Sequence, residues 1–186
     1  MHNKWSTRNI VFIALFATLT IIGTSIRVPM PAAIGNPFVH LGNTVVLLAI
    51  LLLGCWKGAL AGGIGFFIFD LFNGFAVEAP YFFVECFVIG LMVHLTWKLV
   101  HFEDRPFYKL CVPIISACIT KLVMTYLKNV VTSMIMGASL KVSLAAAVTT
   151  LFPSIINVIT TMILVSILYY PLKKILSRVI RVAAHS

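Results

Sequence analysis

Charged residues are scarce in this chain of 186 residues, where they make up 10% of the sequence against 61% hydrophobic residues. Soluble globular domains carry about 25% charged and about 45–50% apolar residues. The scarcity of charge therefore excludes a water-soluble globule and indicates an integral membrane protein. A spanning helix uses about 20 residues, so six such helices would leave no room for a separate soluble domain such as a built-in ATPase.

Acidic residues are the scarcer of the two charge classes, with five Asp and Glu against 14 Lys and Arg and a net charge of +9. In a soluble protein this excess would indicate a nucleic-acid partner. In a membrane protein, Lys and Arg accumulate in the cytoplasmic loops. The positions of the cations therefore decide between the two interpretations.

Motifs of catalysis and of metal binding are also missing. The sequence contains no H-E-x-x-H, no G-x-S-x-G and no P-loop G-x-x-x-x-G-K-[ST]. Its four cysteines form no C-x-x-C pair, so we expect no disulfide, no metal and no cofactor in this chain. The sequence predicts a protein that is not an enzyme, and any pumping must use ATP hydrolysed by another chain.

Apolar segments interrupted by Pro, Gly and charge predict six membrane spans, at 8–27, 40–54, 57–73, 79–100, 107–136 and 147–172. With six spans both termini lie on one side of the membrane. That side holds ten of the cations: Lys4, Arg8, Lys57, Lys98, Arg105, Lys109, Lys173, Lys174, Arg178 and Arg181. The opposite side holds Arg27 and Lys141.

This distribution predicts cytoplasmic termini by the positive-inside rule and explains the basic charge without nucleic acid. We therefore predict an all-α integral membrane protein, with residues 1–186 forming a single six-helix transmembrane domain in the cell membrane.

Two of the predicted outer connections are unusually rich in Pro or in small residues. The first, between Arg27 and Asn43, is too broken for a helix and too apolar for a solvated linker, so we expect it to pack over the outer mouth. The second runs from Met136 to Val148. Elaborate loops on one face often carry function; the alternative is that both loops merely cap helix ends.

Small residues recur at helical spacing in two spans. Gly54, Gly58 and Gly62 repeat every four residues in the third span, which favours close packing inside the protein, with a dimer surface as the alternative. In the first span Ala14 and Thr18 make a similar step. That stripe is either internal or receives the helix of a partner.

Polar side chains form two stripes with the same spacing in the fifth and sixth spans. The stripes consist of Lys121, Thr125, Lys128 and Thr132, and of Thr150, Ser154, Asn157 and Thr161. Each lysine costs about 2.5–3.5 kcal/mol at the bilayer centre, so such residues usually face a polar interior and mark a functional path. Two stripes of equal period indicate facing walls.

The fourth span contributes Tyr81 and Glu85 to the same region. At about 1.5 Å of rise per residue, Glu85 and Lys128 both lie about 9 Å, and Ser154 and Asn157 about 10–15 Å, below the outer helix ends. We therefore predict a binding site lined by these five residues.

The sequence alone leaves alternatives for the partners of the charged residues in this site. His40, in the first outer loop, is expected to form part of a lid. Glu85 and Lys128 either contact a ligand or merely neutralise each other, and Lys121 is either the floor of the site or reaches towards the inner interface. Asp70 is interpreted as structural, with Arg27 or backbone amides as its partner.

Three stretches carry a resemblance to a known family: ALFATLT from Ala14 to Thr20, the block from Val39 to Phe75 that contains HLGNTVVLLAILLLG, and AP at positions 79 and 80. They resemble the substrate-binding S components of energy-coupling factor (ECF) vitamin transporters, in the branch assigned to hydroxymethylpyrimidine or pyridoxine and sometimes labelled riboflavin-like. The resemblance covers about the first half of the chain and the six-span layout.

The resemblance implies a six-helix protein that captures a vitamin outside and docks onto a transmembrane coupling subunit and two cytoplasmic ATPases. It also implies that the protein topples in the membrane to carry the vitamin inward. The docking motif would fall on Ala14 and Thr18, where the family usually has a second alanine. Pantothenate or riboflavin as the ligand, and a self-sufficient secondary carrier, are the alternatives.

Overall fold

The computed structural model describes residues 6–30, 38–100 and 108–182, with side chains up to residue 178. Over these ranges the chain forms helices joined by short connections, together with one two-stranded hairpin. The elements are α1 (Thr7–Ser25), β1 (Arg27–Pro29), β2 (Phe38–His40), α2 (Gly42–Leu53), α3 (Cys55–Phe72), α4 (Ala79–Leu99), α5 (Tyr108–Ile135), α6 (Leu140–Thr149) and α7 (Leu151–Val182).

The predicted all-helical membrane fold is confirmed. Helices α1, α3, α4, α5 and α7 are each long and apolar enough to cross a membrane. The predicted second span corresponds to α2, which has 12 residues, fewer than the 20 or so that a straight crossing needs. Six full spans, cytoplasmic termini and a domain of exactly 1–186 therefore remain predictions.

Local sequence explains most of the helix ends. Gly54 adopts φ 91° and Gly137 also φ 91°, a backbone conformation that glycine enters without strain. Gly54 thereby joins α2 directly to α3, and Gly137 follows the end of α5. Pro80 lies in the first turn of α4, where its missing N–H has no helical partner to lose.

The two ends of the helix bundle differ in charge. Arg8 of α1, Lys57 of α3 and Leu176 of α7 line one crevice, so the start of α1 and the end of α7 lie at the same end as the α2–α3 turn. At the opposite end, Arg27 donates a hydrogen bond to the side-chain oxygen of Asn73 at 3.4 Å. The grouping of cations is the one the positive-inside rule expects of a cytoplasmic end.

The loop after α1 contains structure that the sequence analysis did not predict. β1 and β2 pair antiparallel, with Arg27 opposite His40 and Pro29 opposite Phe38. Strands are predicted from the alternation of apolar and polar residues over four or more positions. Strands of three residues are too short to show it, so the sequence did not predict the hairpin. The second outer connection, predicted as a loop, forms α6 over most of its length. Residues 31–37 of the first connection lie outside the described part.

Glycines of α3 pack inside the protein, as predicted. A Cβ at Gly58 would overlap the backbone of Ala49 and Ile50 in α2, and a Cβ at Gly65 would lie 2.7 Å from the carbonyl oxygen of Ala17 in α1. α3 is thus held between α1 and α2 at backbone contact. This close packing fixes the position of α3 in the bundle, and with it the position of its last turn at the mouth.

Replacement of Gly58 by alanine should therefore lower stability more than the same change at Gly63, where a Cβ would meet the Phe83 ring at 3.0 Å. A ring can shift, whereas two backbones cannot separate without losing packing across the whole helix pair. Thermal unfolding of both variants in detergent measures the difference. Equal melting temperatures would contradict the backbone-contact interpretation.

Candidate ligand-binding site

A cavity of about 120 Å³ opens among the helix ends on the side of Arg27. Its wall combines aromatic rings, charged side chains, and amides or hydroxyls. The lining residues are Phe38, His40, Asn43, Asp70, Phe75, Glu78, Phe82, Lys121, Thr125, Lys128, Asn129, Thr150, Pro153, Ser154 and Asn157. The predicted convergence of the fifth and sixth spans on one polar site is thus seen in α5 and α7.

Two ion pairs join α4 to α5 in this region. Lys128 lies 2.7 Å from Glu78 and Lys121 lies 2.5 Å from Glu85. Each pair of like residues is separated by seven positions, or two helical turns. The two helices run antiparallel. Glu78, which comes first along the chain, therefore meets Lys128, and Glu85 meets Lys121.

The alternative in which Glu85 pairs with Lys128 is therefore wrong. Glu78, seven positions before Glu85 on the same polar stripe, is the partner of Lys128 instead. Lys121 lines the cavity, as the floor alternative expected, and its ammonium group is held by Glu85 rather than turned towards the inner interface.

Glu85 itself is fully buried, at 0% exposure. One carboxylate oxygen accepts from the Tyr81 hydroxyl at 3.1 Å and the other pairs with Lys121. Neither Glu85 nor Tyr81 is among the residues that line the cavity. The sequence placed both in direct contact with a ligand, whereas the structure places them behind the wall, where they fix Lys121.

Phe82 lies between the two lysines on the cavity wall. The ammonium nitrogens of Lys121 and Lys128 are each 5.1 Å from the centre of its ring, within cation–π range. The ring therefore helps to separate the two charged pairs while presenting an apolar surface to the cavity.

The β2 strand is attached to α7 through one side chain. The Asn157 oxygen accepts from the backbone N–H of His40 at 2.9 Å, and its nitrogen donates to the carbonyl of Phe38 at 2.9 Å. Asn157 lines the cavity as predicted, but its amide group is engaged in holding the hairpin. This explains how a proline-rich loop stays against the mouth of the site.

His40 is a neutral member of the wall. Burial, and after it the positive charges of Lys121 and Arg27, lower the pKa of His40 from 6.5 to about 3. The backbone N–H of Gly42 lies 3.2 Å from its Nδ1 atom and donates to it, which requires that nitrogen to carry no proton. His40 thus offers an uncharged ring at neutral pH.

Hydroxyls and amides of α5 and α7 form the opposite wall. Asn129 donates to the Thr150 hydroxyl at 2.7 Å, and the Ser154 hydroxyl donates to the Thr150 carbonyl at 3.2 Å. Ser154 and Lys128, both predicted, do line the cavity. Whether any of these residues contacts a ligand stays a prediction.

Several lining residues were missed or undervalued by the sequence analysis. Asn129 stands four positions after Thr125, so the helical spacing could have included it. Asp70 was interpreted as structural and Asn43 was not considered. The phenylalanines gave no signal, because aromatic residues in an apolar span are ordinarily core or lipid-facing.

The predicted docking residues of α1 lie on the surface. Ala14 and Thr18 are both exposed, and the Thr18 hydroxyl donates to the Ala14 carbonyl at 3.0 Å. Leu15 and Leu19, beside them, are 49% and 40% exposed. This stripe is therefore available to lipid or to another helix, and its use in docking remains a prediction.

Comparison with known proteins decides the family. A family model described as the ECF-type riboflavin transporter, S component, matches residues 4–174. The chain belongs to this family of S components. It is accordingly a membrane-embedded, substrate-binding subunit of a transport system and not an enzyme, and its place is the cell membrane.

A solved structure supports the fold of this S component. The chain is similar to the S component of a bacterial ECF transporter, with a TM-score of 0.68, 21% identity, and coverage of 91% of this chain and 97% of that chain. The comparison with curated proteins gives no match. The family description names riboflavin, whereas the sequence resemblance implied the hydroxymethylpyrimidine or pyridoxine branch.

Breaking the deep ion pair should destabilise the S component. Lys121→Met leaves Glu85 charged and buried, a change that costs about 3–5 kcal/mol, or about 6–20 °C in Tm for a chain of this size. The double variant Glu85→Gln with Lys121→Met should recover most of the loss, since no unpaired charge remains. Thermal unfolding in detergent measures the Tm of these variants, and Lys141→Met, a change at an exposed lysine, serves as the control. A double variant no more stable than Lys121→Met would contradict the prediction.

The lowered pKa of His40 predicts a pH-dependent stability. Below about pH 6.5 the unfolded chain binds a proton that folded His40 rejects, so stability should fall as the pH drops from about 6.5 towards about 3. His40→Gln removes this titration. Its melting temperature should decrease less than that of the natural protein between about pH 7.5 and pH 4.5, and identical decreases would contradict the assignment.

Proposed function

We propose that this S component captures a vitamin built on a flat, uncharged heteroaromatic ring that carries amino, imide or hydroxyl groups. The observation that carries the proposal is the composition of the cavity: three phenylalanines, several amides and hydroxyls, and lysines that are each paired with a glutamate. We place capture at the outer membrane face, in line with the predicted cytoplasmic termini.

Charge argues against an anionic ligand such as pantothenate. Such a ligand would favour unpaired lysines, but Lys121 and Lys128 each lie against a carboxylate. Taking the ammonium group of Lys121 from its partner would leave Glu85 unpaired and fully buried.

Aromatic rings favour a flat ligand. Phe38 and Phe75 lie with ring centres 5.7 Å apart on one side of the site, and Phe82 lies on the lysine side. A ring system can stack against such surfaces, while Asn129, Ser154 and the hydroxyl residues fix its orientation. Ligand sites are commonly built in this way, from an apolar wall with a few polar groups.

Riboflavin is the first candidate, because the family description names it. Single-ring vitamins, hydroxymethylpyrimidine or pyridoxine, are the second. The cavity of about 120 Å³ is small, equivalent to about four water molecules at about 30 Å³ each in the liquid, which favours a single-ring vitamin over a tricyclic one. A tricyclic ligand with a sugar-alcohol chain would have to extend into the mouth beside the hairpin.

The interior beneath the cavity supports capture rather than a channel. Ile50, Ile114, Val165 and Tyr169 are at most 1% exposed and belong to one apolar core shared by α2, α5 and α7. Delivery to the cytoplasm then requires a partner. We propose the module that the family implies, a transmembrane coupling subunit that docks on Ala14 and Thr18 and two ATPases that hydrolyse ATP.

The function is tested by purifying the protein from cells grown in rich medium and identifying co-purified small molecules by mass spectrometry. Riboflavin, hydroxymethylpyrimidine, pyridoxine and pantothenate are then titrated separately. We expect one heteroaromatic vitamin to bind at about one per chain and pantothenate not to bind. Binding of none of the four would contradict the proposal, and vitamin transport by the protein alone in liposomes would favour the secondary carrier.

A further inference from the structure

Asp70 is a buried carboxylate with an unsatisfied oxygen at the wall of the cavity. It lies in the last turn of α3, is 4% exposed, and lines the cavity. Its Oδ2 atom has no hydrogen-bond partner among the described residues. Buried polar atoms are nearly always hydrogen-bonded, so such an exception calls for an explanation.

The partner expected from the sequence is engaged elsewhere. Arg27 donates to Asn73, and its guanidinium carbon lies 5.1 Å from the centre of the Phe38 ring and 5.3 Å from that of Phe69. The two cavity lysines are held by Glu78 and Glu85. The expectation that Arg27 pairs with Asp70 is therefore wrong.

The surroundings make an unpaired carboxylate at this point costly. The end of a helix carries a partial negative charge, which opposes a carboxylate in the last turn of α3. Glu78 and Glu85, the other carboxyl groups near the site, are each paired with a lysine, whereas Asp70 has no such partner among the described residues. A hydrogen-bond donor that arrives in the cavity would pair with the carboxyl group of Asp70, which lines it.

We propose that Asp70 is a ligand-recognition residue that accepts a hydrogen bond from a ring imide N–H or an exocyclic amine of the vitamin. The cavity then selects ligands that present such a donor over those of similar shape that lack it. This inference rests on the proposed function and adds to it the group by which the ligand is recognised. Riboflavin offers an imide N–H and hydroxymethylpyrimidine offers an amine, whereas pyridoxine offers neither, so preferred binding of pyridoxine would overturn the inference and leave the proposed function standing.

Asp70→Asn keeps the shape of the side chain and removes its charge. The Asn oxygen still accepts a hydrogen bond but without the charge, so the Kd of the vitamin that the natural protein binds should rise about tenfold. Asp104→Asn, the same change at the other aspartate of the chain, serves as the matched control and should leave the Kd unchanged. Thermal unfolding of both variants checks that they fold.

A pair of ligands separates recognition from a structural role of Asp70. Riboflavin is compared with its imide N-methyl analogue, and hydroxymethylpyrimidine with its analogue lacking the amine. The natural protein should lose about 10- to 100-fold in affinity for the analogue, whereas the loss should be clearly smaller for Asp70→Asn, which recognises the donor without a charge. The comparison in the natural protein stands even where the variant does not fold.

The outcomes are distinguishable. Failure of the natural protein to bind any of the vitamins overturns the proposed function itself. Binding that is equally tight for Asp70→Asn, or equally tight for parent and analogue in the natural protein, overturns the role of Asp70 and leaves the proposed function standing. A variant that weakens parent and analogue by the same factor shows a structural carboxylate and also overturns the inference.

Discussion

The pairing of two lysines with two glutamates across α4 and α5 is the constraint on which this site depends. A lone ammonium group in an apolar span is costly, and so is a lone carboxylate. Here the two glutamates are seven positions apart and so are the two lysines, so two antiparallel helices bring both pairs into contact at once. The register of α4 on α5 and the position of Phe82 between the lysines follow from that match.

The rest of the cavity is assembled from elements that are distant in sequence. Glycines bring α3 to backbone contact with α1 and α2, which fixes Asp70 at the mouth. Asn157 of α7 holds the backbone of β2, which places Phe38 and His40 over the same opening. The cavity is thereby formed where the helix ends meet the hairpin.

The buried acidic residues Glu85 and Asp70 differ in whether their oxygens have hydrogen-bond partners. Glu85 has a partner for each oxygen and lies behind the wall, so its role is to hold Lys121. Asp70 has an oxygen without a partner among the described residues, and its side chain lines the cavity. An S component needs such an asymmetry, because groups that are fully satisfied inside the protein gain little from binding a substrate.

Composition and spacing determined the class of this protein. Hydropathy predicted the membrane helices, the glycine repeat predicted close packing, and the stripes on α5 and α7 predicted the location of a polar site, because these signals repeat locally along one helix. Which glutamate meets which lysine depends on the offset between two helices, and no single-helix pattern contains that offset. The hairpin, the engagement of Asn157 and the isolation of Asp70 were likewise decided by tertiary contacts, since each depends on residues that only the packed bundle brings together.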